Sequence, residues 1–139
     1  MTIELKNAES YKTLIDKAIT VLSNSYAPYS NIHVAAALET ANGKVYLGVN
    51  VENSSYGLTI CAERSAVCNA VTYGEKEFKR IAIVTDMDEP IPPCGACCQV
   101  LAEFNPDIEI IMYSIKSRKI VVARLSDIFI KPFKLRNNK

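Results

Sequence analysis

Two short segments of this chain concentrate residues whose types and spacing can do chemistry. One reads Thr59-Ile60-Cys61-Ala62-Glu63-Arg64, and the other reads Pro92-Pro93-Cys94-Gly95-Ala96-Cys97-Cys98. Cys94 and Cys97 form C-x-x-C, a spacing from which both sulfurs reach one zinc ion within a single turn. Cys61 supplies a third thiolate if its segment begins beside the other. Three protein ligands with an open fourth position is the arrangement in which bound zinc activates water. A structural ion would instead need a fourth ligand, such as Cys98 or His33. Glu63, two residues after Cys61, is placed to carry protons between water and a substrate atom. Three thiolates and Zn²⁺ sum to −1, and that charge needs an offset. Two helix N-termini, each worth roughly half a positive charge, provide part of it. Arg64 provides more by donating from its guanidinium fork to the sulfurs.

These residues converge only if the right elements carry them. Tyr11, Leu14, Ile15, Ala18, Val21 and Leu22 recur at helical spacing, so Asn7 to roughly Asn24 reads as an amphipathic helix. Ser25 to Asn31 breaks that period and reads as a loop. His33 to Glu39 and Lys44 to Val51 form a hairpin joined by Asn42-Gly43. Helices then alternate with strands: a helix over Cys61 to Tyr73, a strand over Arg80 to Thr85, and a helix over Gly95 to Phe104. Strands over Ile108 to Met112 and Lys119 to Ala123 follow, and Leu125 to Phe133 reads weakly as a closing helix. The result is one α/β domain over residues 1–139, a three-layer α/β/α sandwich whose mixed five-stranded sheet carries helices on both faces. In strand-helix-strand units each helix begins near the carboxyl end of the preceding strand. The helices at Cys61 and Gly95 should therefore start side by side.

The composition narrows the function classes. Sixteen Lys and Arg against fifteen Asp and Glu leave +1, which argues against a nucleic-acid surface or a polybasic membrane anchor. No run of eighteen apolar residues occurs to span a bilayer. The Met1 to Lys6 start lacks the pattern of a secretory signal, so a cytoplasmic protein is expected. In that reducing setting, grouped cysteines bind metal or react more often than they cross-link, and five of them cannot all pair. Cys68 reads as a small buried hydrophobe and His33 as a satisfied strand residue. The basic stretch from Lys131 to Lys139 reads as a solvated terminus.

A second constellation lies in Val45 to Glu52, where alternation with period two leaves Asn50 and Glu52 on one face. An amide and a carboxylate so placed could grip a sugar hydroxyl, or could simply be an exposed polar strand end. Here the sequence resembles the zinc-dependent cytidine deaminases. The matching pieces are Tyr26-Ala27-Pro28-Tyr29-Ser30 with Val34 to Leu38, and Gly48-Val49-Asn50-Val51-Glu52-Asn53-Ser54-Ser55-Tyr56. Cys61-Ala62-Glu63-Arg64 and Pro93-Cys94-Gly95-Ala96-Cys97 complete the set, the latter two being the three-cysteine form of the C-x-E…P-C-x-x-C pattern of base deaminases.

The resemblance implies one zinc per subunit on Cys61, Cys94 and Cys97, with Glu63 shuttling protons. It implies that Asn50 and Glu52 hold the ribose 3′-hydroxyl and that the Ala62 backbone N–H meets the pyrimidine ring. The implied activity is hydrolytic deamination of cytidine and deoxycytidine to the uridine products plus ammonia, in pyrimidine salvage, by a homotetramer. The implied partner is a small nucleoside, with no nucleic acid and no membrane. Three departures stand out: Ile32 replaces a phenylalanine that packs on the pyrimidine, and Cys98 replaces an arginine. The C-terminal leucine-leucine-proline…phenylalanine motif has become Leu125 to Ile130, with Phe129 one position off and Phe133 farther. Two other readings are a deaminase of a modified nucleoside, such as a blasticidin-type antibiotic, and a non-catalytic module stabilised by zinc.

Overall fold

In the computed structural model, which describes residues 9–135, a helix α1 (Glu9–Leu22) precedes a hairpin of β1 (Val34–Thr40) and β2 (Val45–Val49). Helix α2 (Ala62–Thr72), strand β3 (Phe78–Thr85) and helix α3 (Gly95–Phe104) follow. Strands β4 (Glu109–Ser114) and β5 (Ile120–Arg124) and a four-residue helix α4 (Leu125–Ile128) complete the order.

The sheet order is β2-β1-β3-β4-β5. Only β3 and β4 are parallel neighbours. Because β2 and β3 both run antiparallel to β1, they point the same way as each other and as β4. β2-α2-β3 and β3-α3-β4 are thus both strand-helix-strand units, and α2 and α3 begin at one edge of the sheet. That edge carries both cysteine segments.

Each face buries its own core. Leu14, Ile15 and Ala18 of α1 pack on Ala35, Ala37, Ala82, Val84 and Ile111. On the other face, Ala62, Ala66, Val67 and Leu101 of α2 and α3 pack on Ala36, Leu38, Ile81, Ile83 and Ile110. Each buried Leu or Ile contributes roughly 1.5–3 kcal/mol. The run of alanines in β1 keeps that strand thin, so helices approach it from both sides. α2 stops where Gly74 takes φ +87°, with Gly74 N–H on the Val71 carbonyl at 2.9 Å and Glu75 N–H on Ala70 at 3.0 Å.

Several boundaries differ from the sequence expectation. β2 ends at Val49: Asn50 N–H still bonds the Val34 carbonyl at 3.2 Å, but Val34 N–H goes to the Asn50 side chain at 3.0 Å in place of the facing backbone carbonyl. Cys68 is exposed, not buried: it follows Val67 around the helix and turns away from the core. The closing helix stops at Ile128, since beyond Leu125 it has little to bury and Pro132 bars its continuation. The first two residues of the expected opening helix and the end of the basic tail lie outside the described residues.

Candidate active site

Cys61 and Cys94 occupy equivalent places, each the N-cap residue of its helix in extended backbone, with no side-chain cap of its own. Cys97 lies one turn into α3, fully buried. The three sulfurs lie within 4.8 Å of one another, and Cys61 Sγ is 3.7 Å from Cys94 Sγ. Tetrahedral zinc at its usual bond length to sulfur, about 2.3 Å, places two thiolates about 3.8 Å apart. The donor set therefore fits zinc in chemistry and in spacing.

Electrostatics favour a cation there. Cys61 is pulled down to about 5, chiefly because the Cys97 thiol donates to it; burial opposes this and the Arg64 guanidinium assists. Cys97 is pushed up by the same bond and by burial. Arg64 Nη2 donates to Cys61 Sγ and to the Thr59 carbonyl, both at 3.5 Å, while its Nε is buried without an acceptor. The other two candidate ligands are engaged elsewhere. Cys98 is buried and its thiol donates to the Pro93 carbonyl at 3.6 Å. His33 Nδ1 lies 2.7 Å from Asp86 Oδ2, as a satisfied residue should.

Glu63 sits in the first turn of α2 and is 5% exposed. Burial pushes its carboxyl up to about 7, helped by the Cys61 thiolate. Ala62 is the first residue of the helix and fully buried, so its N–H has no acceptor within the helix.

Asn50 and Glu52 reach this site through the backbone. Val51 and Ile60 exchange a reciprocal pair of N–H···O bonds, both 2.9 Å, which sets the Asn50–Glu52 segment beside the residue preceding Cys61. Asn50 is buried: Oδ1 accepts from Val34 N–H at 3.0 Å and from the Ser25 hydroxyl, and Nδ2 donates to the Ile32 carbonyl at 2.9 Å. Glu52 Oε1 accepts from the N–H groups of Tyr29 and Ser30 at 2.9 and 3.1 Å, and Oε2 accepts from the Ser30 hydroxyl. Beside Glu52 opens a cleft of about 360 Å³ lined by Tyr29, Ser30, Glu52, Tyr56 and Thr59.

Ser25, Tyr29 and Ser30 orient Asn50 and Glu52. Tyr29 and Ser30 stood within the family-like Tyr26-Ala27-Pro28-Tyr29-Ser30 segment and Ser25 only in a loop, and sequence reasoning gave none of them a role. It also missed Gly48: a Cβ there would stand 2.3 Å from Ala66 N and 2.6 Å from the Ala62 carbonyl, so its bare Cα is what lets α2 lie against β2. Of the departures from the family pattern, Ile32 and Phe129 pack partly against the core beneath α2 and α3. Phe133 is 68% exposed, its carbonyl held by Gln99 Nε2 at 2.9 Å.

Comparison with known proteins agrees with this geometry. The family model described as the cytidine and deoxycytidylate deaminase zinc-binding region matches residues 8–114. A cytidine deaminase of Halalkalibacterium halodurans is 50% identical over 93 residues, which are 67% of this chain and 70% of that protein. One from Sporosarcina psychrophila is 42% identical over 115 residues, 81% of this chain and 85% of that protein. The crystal structure of a cytidine deaminase from Burkholderia pseudomallei superposes with a TM-score of 0.83 at 42% identity, covering 88% of this chain and 98% of the other. With its thiol triad at two adjacent helix starts and a match across most of its length, the chain belongs to the cytidine and deoxycytidylate deaminases, a zinc-binding family of enzymes.

Proposed function

We propose that this protein hydrolyses cytidine and deoxycytidine to uridine and deoxyuridine, releasing ammonia. The observation that carries the reading is the convergence of Cys61, Cys94 and Cys97 within 4.8 Å beside the buried carboxyl of Glu63. Those three cysteines would hold the zinc. When bound, zinc supplies Lewis acidity that makes water nucleophilic near neutral pH.

The chain's own residues do the rest. Glu63 carries the two protons of the attacking water in turn, the first to N3 of the pyrimidine and the second, taken from the added hydroxyl, to the amine, which leaves as ammonia while the water oxygen becomes the C4 carbonyl. Its burial keeps bulk water from competing for those protons. Arg64, tied to Cys61, offsets negative charge on the sulfurs without reaching the substrate. The Ala62 N–H is available to a ring acceptor of the base. Asn50 has one Nδ2 proton left and Glu52 has acceptor capacity left on Oε2, so together they match one sugar hydroxyl, which both donates and accepts.

We further assign a salvage role in the cytoplasm and a homotetrameric assembly. The family resemblance supports both, and the exposed apolar side chains of Tyr56, Leu58 and Ile60 beside the cleft support association of subunits. An absorbance assay for loss of the cytidine band, run with and without chelator beside metal analysis, tests the activity. Zinc-dependent loss of the band is expected. A zinc-loaded protein that leaves the band unchanged overturns the reading.

A further inference from the structure

Asn50 makes nearly all the hydrogen bonds its side chain can make without a ligand. An amide oxygen offers two acceptor sites and its nitrogen two protons. Both sites on Asn50 Oδ1 are filled, one by Val34 N–H at 3.0 Å and one by the Ser25 hydroxyl. One Nδ2 proton goes to the Ile32 carbonyl at 2.9 Å. A flipped amide would turn its NH₂ toward the Val34 N–H, which can only donate, and its oxygen toward the Ile32 carbonyl, which can only accept. Ser25 is itself fixed, its N–H on the Leu22 carbonyl at 3.1 Å where α1 ends, and the next residue donates from Tyr26 N–H to the Asn50 carbonyl at 3.0 Å.

We propose that Ser25 is a positioning residue for the deamination reaction: its hydroxyl saturates Asn50 Oδ1 and locks the amide so that one N–H is presented to the sugar hydroxyl. The proposal rests on the reading of Asn50 as a sugar-binding residue. Ser25 acts only through Asn50 and sits on the loop side of the site, remote from the thiols in sequence and in its bonds. Its removal should weaken the sugar contact while leaving metal loading intact.

The test uses the zinc-loaded full chain as wild type, Ser25→Ala and Ser25→Thr, with cytidine and 3′-deoxycytidine as substrates. In Ser25→Ala, the KM for cytidine should rise about 3- to 10-fold with kcat little changed, the effect of one lost hydrogen bond. Its kcat/KM for 3′-deoxycytidine, which lacks the contacted hydroxyl, should stay within about 2-fold of wild type, and Ser25→Thr should recover most of the loss. Zinc per subunit should match wild type. An equal loss on both substrates, or an unchanged KM for cytidine, overturns the role of Ser25 alone. A wild type that deaminates both nucleosides with equal kcat/KM overturns the sugar role of Asn50 as well. A wild type inactive on cytidine overturns the deaminase reading itself. Should Ser25→Ala fail to fold, Ser25→Cys, a weak donor of similar size, takes its place: a raised KM for cytidine alone supports the role of Ser25, and an equal loss on both substrates overturns it.

Discussion

Gly48 of β2 lies directly against the backbone of Ala66 in α2, and an added Cβ would come within 2.3 Å of the Ala66 nitrogen. The obstruction is helix backbone, which cannot rotate aside as a side chain would. Gly48→Ala should therefore push α2 off the sheet and carry Cys61 and Glu63 with it. Overpacking of this kind costs about 1–3 kcal/mol, so a thermal midpoint roughly 3–10 °C below wild type is expected. Calorimetry and zinc analysis together check this, with zinc content falling alongside stability.

Glu63 separates the proton chemistry from the metal site. Glu63→Gln keeps the volume of a side chain that is 5% exposed but removes its ability to exchange protons. Turnover should fall by about 10²- to 10⁴-fold, the range typical for general acid–base groups. Zinc should remain at one per subunit, as read by atomic absorption beside the steady-state rate.

The thiols behave in the opposite way. Cys94→Ala should lose metal and stability together, since binding energy at such a site is also folding energy. Prolonged chelation of the wild type should lower its thermal midpoint and its activity in parallel, and added zinc should restore both. Arg64→Ala should lower turnover more than zinc content, because Arg64 touches a ligand sulfur and is not itself a ligand. Full activity in that variant would remove Arg64 from the site's chemistry.

Glu52 sets a prediction in pH. The Ser30 hydroxyl chiefly, with the Tyr29 and Ser30 N–H groups, holds its carboxyl below the ordinary range against an opposing effect of desolvation. A carboxylate depressed in the folded state contributes fully above its unfolded value, and the contribution is lost as pH falls through the folded one. The contribution of Glu52 to the KM for cytidine should thus stay constant above the usual carboxylate range and be lost, with a rise in KM, only below it, whereas any change near pH 7 belongs to Glu63. In Ser30→Ala that rise should begin at higher pH. Initial-rate profiles of both proteins decide the matter.

The thiol half of this site was legible in the sequence because its information is local. Two N-cap cysteines, a C-x-x-C spacing and a strand-helix-strand order suffice to bring the sulfurs together, and α3 was bounded correctly at Gly95 and Phe104. The proposed sugar half was much less so. Asn50 and Glu52 were named from the sequence as strand residues, whereas they lie beyond the end of β2 and are oriented by residues some 20 positions earlier. No periodicity encodes such side-chain to backbone bonds. Cys68 misled because its residue type favours burial, while its place on α2 points outward. The segment after Leu125 read only weakly as a helix, and with Ile128, Ile130 and Phe133 exposed in the single chain a longer helix would have little to bury.

The reciprocal pair of backbone bonds between Val51 and Ile60 has a thermodynamic corollary. It makes one rigid strip of the residues flanking the proposed sugar contacts and those leading into Cys61, so ordering either end stiffens the other. Linkage requires such help to be mutual: a nucleoside that tightens the strip must raise the affinity for zinc by the same factor by which zinc raises the affinity for the nucleoside. Amide exchange at Val51, which ligates nothing, should accordingly report whether the metal is in place.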